Sequence, residues 1–330
     1  MQRISRSIPK TMAVLALLSA APAALAAPAT RASTTKPQVL PQPSGVYRFK
    51  VGDVQIAALS DGTAPQDLHK LLQGTTATRT DAALEREFLA NPVQTSINVF
   101  VLEMGSRHVL IDTGVGDLFG PGSGGRLTDS MASAGIRAEQ IDDILITHVH
   151  PDHVGGLVRD GRVMFPNAVV HFGKPDLDYF VEAAKGSAAH ADAKASEEAV
   201  KMLKPYLDAG KVTTFTTSAE VVPGITATPH PGHTPGSAFY TLTTKDGAVV
   251  FVGDIVHAAA VQFSAPSVSI MYDAEPRLAI DVRKKAFAEF ADKRSLIAAP
   301  HLSFPGVGYV RKAGEHYQWI PINYENWSAK

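Results

Sequence analysis

From Val46 onward, short apolar runs alternate with stretches of helical spacing. Phe49 to Leu59 reads as a β-hairpin turning at Gly52-Asp53. Asp81 to Leu89 reads as an amphipathic helix stopped by Asn91-Pro92. Ile97 to Glu103 and His108 to Ile111 predict two strands joined at Gly105-Ser106. Arg126 to Ala134 predicts a helix ended by Gly135, and Ile144 to Thr147 a short apolar strand. Ala168 to Phe172 is a further strand, and Pro175 to Ala184 and Ala191 to Ala209 are helices. Val212 to Phe215, Ile225 to Pro229, Ser237 to Thr243 and Ala248 to Val252 predict strands, the last two joined at Lys245-Asp246-Gly247. Pro276 to Phe290 predicts a helix and Leu296 to Ala299 a strand. Strands in both halves, each followed by helices, predict an α/β fold of two packed sheets with helices outside.

Composition narrows the class. With 45% hydrophobic and 19% charged residues over 330 positions, the chain is globular, and it is long enough to bury a core without covalent staples. The formal net charge of -1 offers no basic field for nucleic acid. The N-terminus reads as an export signal over residues 1–26: Arg3, Arg6 and Lys10 are its cations, Met12 to Leu18 its apolar centre, and Ala24-Leu25-Ala26 its cleavage site. Residues 27–44, rich in Pro, Ala, Thr and Ser, read as a flexible lead-in, and 45–330 as a single domain. A periplasmic or secreted protein, free of the membrane once the signal is removed, is expected. The chain has no cysteine, which excludes thiolate-ligated zinc modules and thiol nucleophiles.

The chemistry concentrates in Thr147-His148-Val149-His150-Pro151-Asp152-His153-Val154-Gly155-Gly156. Four ligand-capable side chains fall within six residues at the end of a predicted strand. Residues two apart in extended chain point the same way, so His148 and His150 can hold one ion together. Pro151 suits the first position of a helix, which puts Asp152 and His153 in its first turn, facing a second ion. Imidazole and carboxylate are the ligands zinc accepts when no thiolate is offered. Further candidates end other strands or sit in tight loops: His230 and His233 in Pro229-His230-Pro231-Gly232-His233, Asp254 after Val249 to Gly253, and His301 after Ile297 to Pro300.

These segments, in this order, resemble the metallo-β-lactamase superfamily, and the resemblance covers nearly the whole chain after the signal. It implies an αβ/βα four-layer sandwich with two divalent ions, most simply Zn2+, at one rim. By motif, His148, His150 and His233 would hold one ion, Asp152, His153 and His301 the other, and Asp254 both. His230 falls outside the pattern and is read as a supporting or structural residue. Asp112, in Asp112-Thr113-Gly114, would orient a ligand histidine through its other ring nitrogen.

Within the superfamily, the closest resemblance is to the lactonase and methyl-parathion-hydrolase group. It rests on Leu59-Ser60-Asp61-Gly62, Leu118-Phe119-Gly120-Pro121, Phe165-Pro166-Asn167-Ala168, Ala260-Val261-Gln262-Phe263 and His301-Leu302-Ser303-Phe304-Pro305-Gly306. Leu72, His257, Ile270 and Tyr272 depart from the parathion-cleaving pattern. The expected activity is therefore hydrolysis of lactones or aryl esters by a hydroxide held between the two ions, with phosphotriester cleavage as a side activity. Organophosphate hydrolysis as the main activity is the alternative; a β-lactamase or a non-catalytic metal-binding protein is less favoured. Asp254 and His257 are the expected catalytic side chains, His257 as a hydrogen-bond donor. Phe119, Phe180, Ile270 and Tyr272 are the expected pocket walls, Trp319 and Trp327 packing residues. The expected partner is a small-molecule ester, lactone or phosphotriester, and a homodimer is expected by analogy.

Overall fold

Along the second strand of the chain, successive side chains enter two different cores. Ile56 and Ala58 pack with Tyr240 and Phe251, whereas Ala57 and Leu59 pack with Leu127 and Tyr206. That two-residue alternation, buried on both faces, is the physical basis of a sandwich whose sheets are covered on each side. The computed structural model describes residues 42–185 and 193–325. The expected signal sequence, most of the expected lead-in and Trp327 lie outside the described residues.

The first sheet contains β1 (Val46–Val51), β2 (Val54–Gln66), β3 (Val93–Met104), β4 (Arg107–Ile111), β5 (Asp143–Leu145), β6 (Val169–Gly173) and β7 (Val212–Phe215), in that spatial order. Strands β1 to β4 pair antiparallel, and β4 to β7 pair parallel through helical crossovers. The second sheet contains β8 (Ala219–Val222), β9 (Ile225–Pro229), β10 (Ala238–Thr244), β11 (Gly247–Phe251), β12 (Leu296–Ala298), β13 (Val307–Ala313) and β14 (His316–Pro321), again in chain order. Only β11 and β12 run parallel there, and the helix α6 (Pro276–Lys293) connects them. The remaining helices that matter are α1 (Ala77–Arg86), α2 (Leu127–Ser133), α3 (Pro151–Val154), α4 (Lys174–Ala184) and α5 (Ala193–Asp208).

Phe49, Phe100, Leu102 and Ile111 of the first sheet meet Ile225, Tyr240, Leu242 and Phe251 of the second. The outer face of the first sheet packs under α2, α4 and α5 through Met131, Phe180, Leu203 and Tyr206. The outer face of the second sheet packs under α6 through Phe287 and Phe290. The result is the four-layer αβ/βα sandwich. Each such aromatic, fully buried, contributes about 1.5–3 kcal/mol.

Several expectations needed correction. The helix expected at Asp81 begins at Ala77, because the Thr76 hydroxyl caps it by accepting from the Arg79 N–H at 3.3 Å. The hairpin strand expected to stop at Leu59 runs to Gln66, because a bulge between Ser60 and Gly62 carries the β2–β3 ladder past the glycine. The strands β8, β13 and β14 were not foreseen. β13 and β14 carry exposed Arg311, Lys312 and Glu315 near their turn, so the apolar alternation is broken by an edge that faces water. Trp319 lies on β14 and stacks on Phe263, ring centroids 6.0 Å apart.

Candidate metal centre

The local sequence explains the shape of the ligand loop. After β5 the chain bends at Thr147 and His148 and is extended at His150, whose φ of -93° and ψ of 156° make it the N-cap of α3, with Pro151 at the first helical position. Gly155 and Gly156 follow because the backbone of the β4 exit packs directly on them. A Cβ at Gly155 would stand 2.1 Å from the Val115 carbonyl oxygen, and one at Gly156 2.0 Å from that of Thr113. Asp112 leaves β4 with a φ of 58°, a left-handed conformation tolerated by aspartate better than by most residues. Its carboxylate accepts from the Thr147 N–H at 2.7 Å, the Thr147 hydroxyl at 2.9 Å and the His153 Nδ1–H at 2.8 Å.

The loops after β9, β11 and β12 deliver His233, Asp254 and His301 to the same rim. Two donor groups result: His148, His150, His233 and Asp254 in one, and Asp152, His153, Asp254 and His301 in the other, the donor atoms of each lying within 4.8 Å of one another. Asp254 Oδ2 is shared. It lies 3.1 Å from His301 Nε2, 3.3 Å from His153 Nε2, 3.5 Å from His233 Nε2 and 3.6 Å from His148 Nε2. His150 turns its Nδ1 inward, 2.9 Å from His148 Nε2 and 3.0 Å from His233 Nε2. His301 Nε2 also lies 3.3 Å from Asp152 Oδ2.

The outward nitrogens are held as well. Carboxylates and carbonyls only accept, so the proton of three rings is fixed on Nδ1: His153 donates to Asp112, His233 to Asp273 Oδ1 at 2.8 Å, and His301 to the Ser96 carbonyl at 2.9 Å. Each Nε2 is thereby left as a lone-pair donor facing the centre.

The electrostatics show what the cluster lacks. Burial drives the His150 ring down to about 3 and holds His148 well below the ordinary histidine range. Burial would lower His301 and His233 too, but Asp254 with Asp152, and Asp254 with Asp273, push them up to about 10 and about 9. His153 is likewise raised against its burial by Asp254, Asp112 and Asp152. Asp254, although buried, is held well below the carboxylate range by His301, His153 and His257. Anions sunk this deep draw protons onto three imidazoles; the site calls for positive charge. His153 Nε2 and Asp254 Oδ1 are buried with no hydrogen-bond partner. Ring nitrogens about 3 Å apart match the edge of a tetrahedron whose centre is about 2 Å from each. The donor set therefore fits two divalent cations.

His257 stands at the centre with its side chain 8% exposed; its ring stacks on His301 at 5.1 Å and sets Nε2 3.0 Å from Asp254 Oδ2. His230 joins neither donor group; its ring stacks on Phe239 at 3.8 Å. A cleft of about 400 Å³ opens above the centre, and Phe119, Phe180, Ile270 and Tyr272 all line it. Phe180 and Ile270 are buried walls, whereas Phe119 and Tyr272 are 42% and 40% exposed and form the mouth. The Tyr272 hydroxyl donates to Gln66 Oε1 at 3.0 Å, tying one lip to the end of β2. Sequence reasoning missed Asp273, Arg283 and the Ser96 carbonyl. The one signal was that Asp273 adjoins a foreseen pocket residue.

The family model described as the metallo-beta-lactamase superfamily matches residues 93–320. A solved structure described as hydrolase AbOPH in the beta lactamase superfamily is 35% identical, covers 87% of this chain and 100% of its own, and has a TM-score of 0.81. AidC, described as a dizinc quorum-quenching lactonase in complex with an acyl-homoserine product, is 26% identical over 86% of this chain and 99% of its own, with a TM-score of 0.77. AiiA of B. thuringiensis, with N-decanoyl-L-homoserine at its active site, shares the fold at a TM-score of 0.55 and 18% identity, covering 79% of this chain and 99% of its own. No curated protein sequence matches the chain significantly.

Proposed function

The chain belongs to the metallo-beta-lactamase superfamily and is a metal-dependent hydrolase close to lactonases; from that premise we propose that it cleaves lactones and aryl esters, with phosphotriesters as slower substrates. One observation carries the reading: His150, Asp152, Asp254 and His301, drawn from both donor groups, line the floor of a cleft with largely apolar walls. Such a cleft suits a compact ring or an aryl group presented to a polar floor.

In this reading His148, His150 and His233 would hold one divalent ion, Asp152, His153 and His301 the other, with Asp254 available to both, and zinc is the best match to nitrogen and carboxylate donors. When bound, the ions supply a Lewis acid for the acyl oxygen and a water acidic enough to attack at neutral pH. The protein's own groups do the rest. Phe180 and Ile270 exclude water around the scissile group, and Phe119 and Tyr272 receive the acyl or aryl portion at the mouth. His257 donates its Nε2–H to Asp254 and fixes the orientation of that carboxylate. Asp254, so oriented, would relay a proton released by attack to an alkoxide. A phenoxide scarcely needs that proton, which favours aryl esters. A floor shaped for a tetrahedral centre serves the pentacoordinate centre of a phosphotriester less well.

The test is a comparison of kcat/KM for dihydrocoumarin, phenyl acetate and methyl paraoxon on one metal-analysed preparation. The lactone or aryl ester should lead; a leading phosphotriester would reverse the assignment. The same reading places the enzyme outside the cytoplasm, on the strength of Arg3, Arg6, Lys10 and Ala24-Leu25-Ala26. N-terminal sequencing of the mature protein should begin near Ala27.

A further inference from the structure

Asp273 touches two things at once. Its Oδ1 accepts from His233 Nδ1 at 2.8 Å, and its Oδ2 accepts from the Ile270 N–H at 3.2 Å, closing the turn from Ile270 to Asp273 that forms one wall of the cleft. The same turn is tied to the loop that carries His233: the Ala274 N–H donates to the His233 carbonyl at 2.8 Å and the Glu275 N–H to that of Gly232 at 2.9 Å. Its other side is tied to Leu71, Leu72 and Gln73 by backbone pairing.

Behind Asp273 stands Arg283 of α6, the largest fully buried side chain among the described residues. Its Nη2 lies 3.7 Å from Asp273 Oδ2. Its Nη1 donates to the Val268 carbonyl at 2.8 Å and its Nε to the carbonyl of Ile255, the residue after Asp254. A guanidinium this deep is stable only with an anion and several carbonyls around it. It faces the loop after Asp254, the segment 266–268 that leads into the wall, and the carboxylate behind His233.

We infer that Asp273 and Arg283 are a positioning pair: Arg283 holds Asp273, and Asp273 both aims His233 at the first ion and sets the wall formed by Ile270 to Tyr272. The inference rests on the metal reading above. It makes pocket shape and ligand geometry one mechanical unit, so that a change at Asp273 acts on ion affinity and on substrate fit together. Removal of such a partner typically lowers metal affinity by about 10- to 100-fold.

The experiment titrates Zn2+ and Co2+ against a competing chelator in wild type, Asp273→Ala, Asp273→Asn and Arg283→Met, each first checked for cooperative thermal unfolding. Asp273→Ala should bind one ion about 10- to 100-fold more weakly and leave the other close to wild type. It should also alter the visible spectrum of the cobalt form and raise KM for an ester substrate. Asp273→Asn, which keeps the size and an acceptor oxygen, should fold and should recover part of the affinity. In Arg283→Met the effect of a second change at Asp273 should be smaller than in wild type. Wild-type affinity for both ions in a folded Asp273→Ala protein, or an Asp273→Asn protein no tighter than a weakened Asp273→Ala protein, would overturn the inference while leaving the metal reading intact. Failure of the wild type to bind two divalent ions would overturn both.

Discussion

His257 Nε2 stands 3.0 Å from Asp254 Oδ2, the oxygen common to both donor groups. His257 is three residues beyond Asp254, and its ring stacks on His301, so one side chain touches the shared carboxylate and a ligand carried after the neighbouring strand β12. It belongs to neither donor group. His257→Leu should therefore still bind two ions, while kcat/KM toward an aryl ester falls by about 10- to 100-fold as Asp254 loses its donor. Metal analysis alongside steady-state kinetics checks this. An unchanged kcat/KM would remove His257 from the machinery.

Removal of metal should cost activity and stability together. The half-buried Asp152 and buried Asp254 lose their counter-charge and are left with protonated imidazoles. Ligand linkage at 1,000 times Kd contributes about 4 kcal/mol, so a chelated sample should melt roughly 10 °C lower. Calorimetry before and after chelation, with zinc added back, measures the drop. His148→Ala should reproduce the loss of activity and resist rescue by zinc.

Asp112→Ala tests the orientation of His153. The change removes the acceptor of His153 Nδ1 and of both Thr147 donors in a buried place. A destabilisation of about 2–4 kcal/mol is expected, with the ion of the Asp152, His153 and His301 group weakened by about 10- to 100-fold. Urea unfolding and chelator competition separate the two effects.

Asp61 predicts a pH dependence of stability away from the centre. Burial pushes its carboxyl up to about 6, against the backbone N–H groups of Val115, Gly125, Leu127 and Arg126 that favour the charged form. The folded chain thus binds this proton more tightly than the unfolded chain, where the value is near 3.8. Its stabilising contribution is full below about pH 4 and is lost as pH rises through about 6. Asp61→Asn does not titrate. The stability difference between wild type and Asp61→Asn should shrink by on the order of 3 kcal/mol between pH 4 and 7. A constant difference across that window would refute the raised value.

The sequence by itself determined the seven candidate ligands and the two-sheet arrangement. The ligand information is local: strand ends and a helix start within Thr147 to Gly156 set the directions of His148, His150, Asp152 and His153. Apolar runs such as Val249 to Val252 announce a buried strand wherever they occur, and a polar residue just beyond one must emerge at the rim. Tertiary structure alone decided what stands behind those ligands. Asp273 reaches His233 across 40 positions, and the Ser96 carbonyl reaches His301 across 205. Arg283 reads in the sequence as one more cation on a helix; only the packing of α6 on the second sheet buries it against Asp273. His257 shows the same division, since its contact with His301 exists because β11 and β12 lie side by side. Spacing along the chain encodes direction over a few residues. Contacts between loops depend on the register of sheets assembled from distant segments, and that register is set by the core as a whole.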